Sequence, residues 1–251
     1  MDNADLVKAN NLARRYAGYS AVTDLDLRLC KGEVLGLLGP NGAGKSTTMQ
    51  MLTGNLAPSA GEILIGGIDL LDKPLAAKTD IGYLPEQPPV YRDLTVNEFL
   101  NYCAQLHGFN KHDAQSVVAK ARQRCSLDEV QHRLIANLSK GFQQRVGIAQ
   151  AVLHNPAVII LDEPTVGLDP IQIREIRSLI RELGEEHGVI LSTHILPEVQ
   201  SVCDRVQILN RGRTVFNDSL KGIGSLEKTF FELVYQDDPA FADVNEETIV
   251  E

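Results

Sequence analysis

Hydrophobic and polar residues follow two different patterns in the predicted strands of this chain. Leu25, Leu27 and Leu29 alternate with charged residues, and this period of two predicts a strand with one buried face and one face in water. Other stretches are apolar without alternation, which is typical of strands covered on both faces in a parallel sheet. These stretches lie at 34–38, 158–161 and 188–193. Because each of them runs directly into a helical pattern, we expect a mostly parallel α/β sheet.

A helical pattern replaces the strand pattern in the middle of the chain, between Leu94 and Leu153. Thr95 and Glu98 have the spacing of a capping box at the start of a helix. Apolar residues then recur at helical intervals. The pattern predicts an inserted helical subdomain at about 88–155.

The last third of the chain predicts two helices and an acidic tail. Asp169 is followed by Pro170, the arrangement of an N-cap with proline in the first helical position, and Gly184 is expected to end that helix. A second helix is predicted at 225–235. The segment 236–251 contains six acidic residues and neither Lys nor Arg, so we expect it to form a flexible, solvated tail.

Composition is that of a globular protein, with 251 residues of which 43% are hydrophobic and 23% are charged. The formal net charge of −9 argues against a surface built to neutralise nucleic-acid phosphates, and no nucleic-acid partner is expected. No apolar run approaches the roughly 18 residues that a membrane span needs. The first five residues carry two acids and lack the basic start of a signal peptide. We therefore expect the chain to remain in the cytosol.

One short motif predicts a phosphate-binding loop. The segment 39–46 is GPNGAGKS, which matches GxxxxGK[ST] between a buried strand and an apolar helix. Glycines let the backbone N–H groups point inward, and the helix N-terminus adds positive potential where phosphates would lie. Lys45 would reach the β- and γ-phosphates, and the Ser46 hydroxyl would ligate Mg²⁺. The alternative is a glycine-rich turn that binds nothing, but such a turn needs no lysine.

Three further residues follow buried strands, at the edge where an open α/β sheet presents its ligand groups. Asp162 suits a role on Mg²⁺, directly or through water. Glu163 could polarise an attacking water as a general base. His194 could reach the γ-phosphate or the same water, although a lone histidine is more often structural. The alternative for the two acids is that they cap the following turn.

Ser139 is predicted to cap a helix whose apolar face includes Val146 and Leu153. From the residues alone an ordinary capped helix is favoured. The same geometry becomes an anion site when its free N–H groups face a phosphate.

Five motifs in sequence order resemble those of the ABC ATPases. They are GPNGAGKST at 39–47, LSKGFQQR at 138–145, VIILDEP at 158–164, GLD at 167–169 and STH at 192–194. The resemblance covers about 6–235, and the segments around the last two motifs are most similar to exporter-type ATPases that include gliding-motility transporters. It implies a single domain at 1–235 with the P-loop NTPase fold of the family. That fold has a RecA-like, mostly parallel sheet, an N-terminal antiparallel β subdomain and the helical insertion.

The resemblance also implies an activity and its partners. Such a subunit binds and hydrolyses ATP, and two copies pair so that each ATP lies between one P-loop and the other copy's signature helix, which starts here at Ser139 and Gly141. The helical subdomain passes the motion to a separate integral membrane permease, with export expected. The subunit would then lie on the cytoplasmic face of the inner membrane. A soluble ABC ATPase acting on nucleic acid or ribosomes is the alternative, although such relatives usually carry a second cassette, a coiled-coil insertion or a basic arm.

The family pattern assigns roles residue by residue. The expected nucleotide-contacting residues are Tyr16, Gly39, Asn41, Gly42, Ala43, Gly44, Lys45, Ser46, Thr47, Ser139, Gly141 and Asp169. The expected catalytic residues are Glu163, His194 and Lys45. The expected Mg²⁺ ligands are Ser46, Asp162 and either Glu86 or Gln87. Tyr16 matches the aromatic that stacks on adenine, although a tyrosine in the core or in solvent would be nearly as common. Asp169 matches the residue that links the two active sites of the dimer.

The chain departs from the family pattern at two places. A segment that usually ends in Gln continues here from Tyr83 as YLPEQ, so Glu86 and Gln87 both qualify for the Mg²⁺-sensing position. The signature is LSKGF instead of LSGGQ, which introduces Lys140 and Phe142. Lys140 either attracts the γ-phosphate or is an ordinary solvated lysine.

Overall fold

The computed structural model describes residues 5–235. The predicted acidic tail at 236–251 lies outside the described residues. In chain order the strands are β1 (Asp5–Tyr16), β2 (Tyr19–Cys30), β3 (Val34–Leu38), β4 (Ala60–Ile65), β5 (Ile68–Asp69), β6 (Ile81–Leu84), β7 (Val158–Asp162), β8 (Gly188–Thr193), β9 (Arg205–Asn210) and β10 (Arg213–Ser219). The helices are α1 (Lys45–Leu52), α2 (Pro74–Lys78), α3 (Val96–Leu106), α4 (Lys111–Arg124), α5 (Lys140–Val152), α6 (Pro170–Glu186), α7 (Leu196–Val202) and α8 (Leu226–Tyr235).

Two sheets organise residues 5–235. The first has the order β2-β1-β4-β5 with antiparallel pairing throughout. The second has the order β10-β9-β3-β8-β7-β6, in which every pair except β9–β10 is parallel. The predicted α/β fold, with an N-terminal antiparallel sheet and a mostly parallel core, is confirmed.

The parallel sheet is buried on both faces, as its unbroken apolar strands predict. Neighbouring residues of β7 face opposite cores: Ile160 packs with the antiparallel sheet and α1, whereas Leu161 packs with the helical side. In β2 the alternation is of the other kind, because Leu25 and Leu27 are buried and Asp26 between them is exposed. The two strand patterns therefore report how many faces of each strand are covered.

Helices α3, α4 and α5 occupy the middle of the chain where the helical pattern is found. The capping box is present at the start of α3: Thr95 accepts from the backbone N–H of Glu98, and the Glu98 carboxylate accepts from the backbone N–H of Thr95. These helices bury their apolar faces in the same core as the helical side of the parallel sheet. The insertion is thus packed onto the sheet through a shared core. Among the helices of residues 5–235, none is both long and apolar enough to pass through a bilayer.

Helix α6 begins as predicted and ends later than predicted. Asp169 caps it, with Pro170 in the first turn. The expectation that Gly184 ends the helix is wrong, because α6 continues to Glu186. A Cβ atom at Gly184 would lie 2.4 Å from Cγ2 of Val34 on β3. The glycine is therefore required for close helix–sheet packing and is not a stop signal.

Candidate active site

The phosphate loop connects β3 to α1. Gly42 and Gly44 have positive φ angles of 80° and 103°, a backbone region that favours glycine. A Cβ atom at Gly44 would lie 2.7 Å from the carbonyl oxygen of Ala21, so space as well as conformation excludes a larger residue. Helix α1 starts at Lys45 without a side-chain cap, which leaves its first N–H groups facing the loop.

Lys45 is buried at the centre of this loop, with 6% of its surface exposed. Its Nζ donates to the carbonyl oxygens of Gly39 at 2.7 Å and Pro40 at 3.3 Å. The same ammonium lies 3.7 Å from Oε1 of Glu163. Burial lowers the pKa of Lys45, and the charges of Glu163 and Asp162 partly offset that shift. A buried cation surrounded by carbonyls and a carboxylate suits the binding of phosphate oxygens.

Glu163 and His194 follow two adjacent parallel strands, β7 and β8, and therefore meet at one edge of the sheet. Nδ1 of His194 lies 3.0 Å from both carboxylate oxygens of Glu163. Glu163 is largely buried, whereas the side chain of His194 is 45% exposed. Glu163 also has a φ angle of 48°, and strained backbone of this kind in a non-glycine residue clusters at functional sites.

Asp162 lies beside Glu163 at the end of β7 and is buried. Burial raises the pKa of this carboxyl group, a hydrogen bond from Ser192 opposes the shift, and the nearby Glu163 and Glu86 add to it. Ser192 was not predicted to contribute to the site. Its hydroxyl donates to Oδ1 of Asp162.

A cavity of about 580 Å³ opens in front of these groups, within the size range of small-molecule sites. Its lining consists of Tyr19, Ser20, Ala21, Asn41, Gly42, Ala43, Gly44, Lys45, Ser46, Thr47, Glu86, Glu163, Val166, His194 and Arg211. The loop residues from Asn41 to Thr47, together with Glu163 and His194, thus meet around one space. Glu86 lines the cavity, whereas Gln87 does not belong to the lining found within residues 5–235.

Tyr16, the residue expected to stack on adenine, is separated from the cavity by the ring of Tyr19. It lies at the end of β1 and stacks on Tyr19, with ring centroids 5.4 Å apart and an interplanar angle of 22°. The cavity is lined by Tyr19 and not by Tyr16. Sequence reasoning missed Tyr19 and Arg211, because nothing in their local sequence marks either as a ligand-facing residue.

Ser139, Gly141 and Asp169 lie away from the phosphate loop of their own chain and are absent from the cavity lining within the described residues. Ser139 caps α5, accepting from the backbone N–H of Phe142 at 3.4 Å. Asp169 caps α6. Gly141 packs against Gln172 of α6, where a Cβ atom would lie 2.6 Å from Oε1. These residues belong to a second surface, which lies outside the cavity lining.

Comparisons with known proteins agree with this geometry. The ABC transporter family model matches residues 22–166. The chain is 38% identical over 224 residues to the ABC transporter ATP-binding protein YxlF of Bacillus subtilis (strain 168), which covers 89% of this chain and 74% of YxlF. It is 37% identical over 210 residues to the bacitracin transport ATP-binding protein BcrA of Bacillus licheniformis, which covers 83% and 68% of the two chains.

A solved structure shows the same architecture. The ATP-binding cassette MJ0796, in a dimeric post-hydrolysis state bound to ADP and Pi, matches with a TM-score of 0.77 and 25% identity over 86% of this chain and 99% of that chain. The phosphate loop, the acids at the sheet edge and these matches show that the chain belongs to the ABC transporter family, as a subunit that binds and hydrolyses ATP.

Proposed function

We propose that this subunit binds Mg–ATP in the cavity in front of α1, hydrolyses it with Glu163 as general base, and drives export through a membrane-embedded partner. The observation that carries the proposal is the position of Glu163, between Nζ of Lys45 at 3.7 Å and Nδ1 of His194 at 3.0 Å. A carboxylate in this place lies next to the γ-phosphate of a nucleotide whose phosphates occupy the loop.

Binding of the triphosphate relies on the loop from Gly39 to Thr47. Its backbone N–H groups and the N-terminus of α1 supply positive potential. The ammonium of Lys45 is placed to exchange loop carbonyls for phosphate oxygens. The stacked pair Tyr16 and Tyr19 offers an aromatic face to the base, with Tyr19 nearer the cavity and Tyr16 behind it.

Oxygen donors at the cavity fit Mg²⁺, which prefers carboxylate, hydroxyl and phosphate oxygens. Ser46 and Glu86 line the cavity, and the buried Asp162 directly precedes Glu163, which also lines it. We assign the candidate ligands as Ser46, Asp162 and Glu86, and choose Glu86 over its neighbour Gln87 because only Glu86 of these two lines the cavity. When bound, Mg²⁺ would neutralise charge on the phosphate oxygens.

Hydrolysis then follows from the arrangement of three side chains. Glu163 accepts a proton from the water that attacks the γ-phosphate. In the tautomer that carries its proton on Nδ1, His194 donates a hydrogen bond to the carboxylate of Glu163 and holds that carboxylate in place. Lys45 stabilises negative charge that develops on the phosphoryl oxygens.

The second surface on this chain would complete the nucleotide site of a partner copy in a dimer. Ser139 and Gly141, at the start of α5, would face the ATP held by a second copy, and Asp169 would connect the two sites. The dimeric state of MJ0796 supports this pairing. ATP would then join the two copies, and its hydrolysis would separate them.

Coupling to transport is proposed for the helical insertion at about 88–155 of a single ABC ATPase domain at 1–235. The similarity to the bacitracin transport protein BcrA supports an exporter-type role like that of the gliding-motility group. The partner would be an integral membrane permease, and the subunit would lie on the cytoplasmic face of the inner membrane. Co-purification with such a permease tests this part of the proposal.

The variant Glu163→Gln tests the catalytic assignment. It removes the base and leaves the phosphate contacts, so steady-state ATP turnover is expected to fall by at least about 100-fold. ATP affinity should persist, and an ATP-bound dimer should accumulate in size-exclusion chromatography. Wild-type turnover in this variant would refute the role of Glu163, and loss of ATP binding would show that the carboxylate acts on binding instead.

A further inference from the structure

We propose that Ser192 is a positioning residue whose hydroxyl sets both the metal-facing carboxylate of Asp162 and the backbone of the general base Glu163. The inference deepens the proposed function and rests on it. None of the site residues assigned above lies within β8, so the inference adds a residue of this strand to the catalytic site.

The register of the sheet creates the contact. Strands β7 and β8 are parallel, and Asp162 is the Cα partner of Ser192. Side chains paired in this way project from the same face of a sheet. Ser192 is fully buried and Asp162 is 5% exposed, so the contact is shielded from water.

The hydroxyl group of Ser192 donates one hydrogen bond and accepts another. Oγ of Ser192 donates its proton to Oδ1 of Asp162 and accepts from the backbone N–H of Glu163 at 3.1 Å. The carbonyl oxygen of Ser192 also accepts from that N–H, at 3.2 Å. Because a hydroxyl has a single proton, this arrangement fixes its direction.

Both acids need such a restraint. Glu163 has a φ angle of 48°, which costs free energy and persists only when surrounding contacts hold it. Asp162 is a buried carboxylate, and a buried charged group must be hydrogen-bonded. By engaging Oδ1, Ser192 orients the carboxylate and leaves Oδ2 free of that bond. Residues that orient metal ligands in this manner typically change metal affinity by about 10- to 100-fold when they are mutated.

The test separates metal binding from nucleotide binding. The full chain, in excess over the non-hydrolysable analogue AMP-PNP, is titrated with Mn²⁺ as a magnesium substitute, and bound Mn²⁺ is followed by electron paramagnetic resonance. In Ser192→Ala the apparent Mn²⁺ affinity should fall about 10- to 100-fold. Affinity for AMP-PNP without metal, measured in EDTA, should stay within about twofold because the phosphate loop and Lys45 are unchanged. In steady-state assays kcat should fall with little change in KM.

Two variants control for damage to the strand. Ser192→Thr keeps the hydroxyl and should restore most of the Mn²⁺ affinity. Thr193→Val removes the next buried hydroxyl of β8, which accepts from the backbone N–H of Ile195, and should leave Mn²⁺ affinity unchanged. If Ser192→Ala does not fold, Ser192→Cys supplies the test, since its thiol is a weak donor of similar size and should also lower Mn²⁺ affinity.

Wild-type Mn²⁺ affinity in Ser192→Ala, or in Ser192→Cys if the alanine variant does not fold, would overturn the inference. An equal loss in Thr193→Val would overturn it too, because any buried hydroxyl of the strand would then suffice. Failure of the wild-type chain to bind AMP-PNP, or to bind Mn²⁺ with it, would instead overturn the proposed function.

Discussion

Buried polar side chains in this protein are concentrated where catalysis is proposed, but a pair of histidines, an exposed His107 and a partly buried His154, lies elsewhere. The rings of His107 and His154 stack with centroids 4.0 Å apart and an interplanar angle of 13°. Nε2 of His154 lies 3.1 Å from the carbonyl oxygen of Ile81, which fits a neutral ring that donates from this nitrogen. Burial, and then the neighbouring His107, lower the pKa of His154 to about 4.

This shift predicts an acid-sensitive stability. Below a pH of about 6.5 the unfolded chain protonates His154, whereas the folded chain does not until the pH approaches 4. Stability from the neutral ring is therefore present above pH 6.5 and is lost as the pH falls from 6.5 towards 4. In His154→Phe the free energy of unfolding should depend less steeply on pH across this window, as measured by urea denaturation at several pH values. The difference should be about 1–2 kcal/mol over the window, because solvent reaches part of the ring. Parallel pH profiles for the two proteins would contradict the assignment.

Individual site residues differ in how far the sequence predicts them. The loop residues around Lys45 belong to one continuous segment, so their common location follows from a local motif. Glu163 and His194 are 31 positions apart, yet the rule that parallel strands end at one edge brings them together. Ser192 and Tyr19 could not be predicted in this way, because their roles depend on sheet register and on a hairpin that folds over the loop. Gln87 and Glu86 adjoin in sequence, and only the path of the chain after β6 distinguishes them.

Helices and strands are predicted well where one local signal dominates and less well where tertiary packing overrides it. The capping box of α3 and the Asp169–Pro170 start of α6 are local hydrogen-bond and φ preferences, and both hold. The end of α6 is different, because Gly184 has a helix-ending propensity and yet lies inside the helix. Because α6 packs closely against Val34 of β3, there is no room for a Cβ atom at position 184, and glycine is required there.

This packing argument predicts an unusual effect of alanine in a helix. In most helix interiors a glycine-to-alanine change gains up to about 1 kcal/mol. In Gly184→Ala the new methyl would lie 2.4 Å from Cγ2 of Val34, so we expect a net loss of about 1–3 kcal/mol of unfolding free energy. The control is Glu185→Ala at the next, exposed position, where a change within about 0.5 kcal/mol is expected. Urea denaturation measures both, and a stabilised Gly184→Ala would show that α6 can move away from β3.

At the scale of the whole molecule, the chain carries two functional surfaces that do not meet within one copy. The phosphate loop, Glu86, Glu163 and His194 surround one cavity. Ser139, Gly141 and Asp169 lie at the starts of α5 and α6, outside that lining. In the proposed dimer, each copy would therefore supply a different half of each nucleotide site.

Mixing two inactive variants tests this division. Lys45→Ala disables the phosphate loop of one copy, and Gly141→Asp places a negative charge where the other copy would face the γ-phosphate. The side chain of Gln172, whose Oε1 would lie 2.6 Å from a Cβ at position 141, can swing aside to admit the new group. Each variant alone should show almost no ATP turnover, since both of its sites contain the same defect.

In a mixed dimer the two defects fall in one site and leave the other intact. Random pairing makes half of the dimers mixed, so an equimolar mixture should recover at most about a quarter of wild-type turnover. Recovery should vanish when Glu163→Gln is added to the Gly141→Asp copy, because that copy supplies the phosphate loop and base of the intact site. It should persist when Glu163→Gln is added to the Lys45→Ala copy. Absence of recovery, with dimers confirmed by sedimentation, would contradict this division and would indicate that each copy completes its own site.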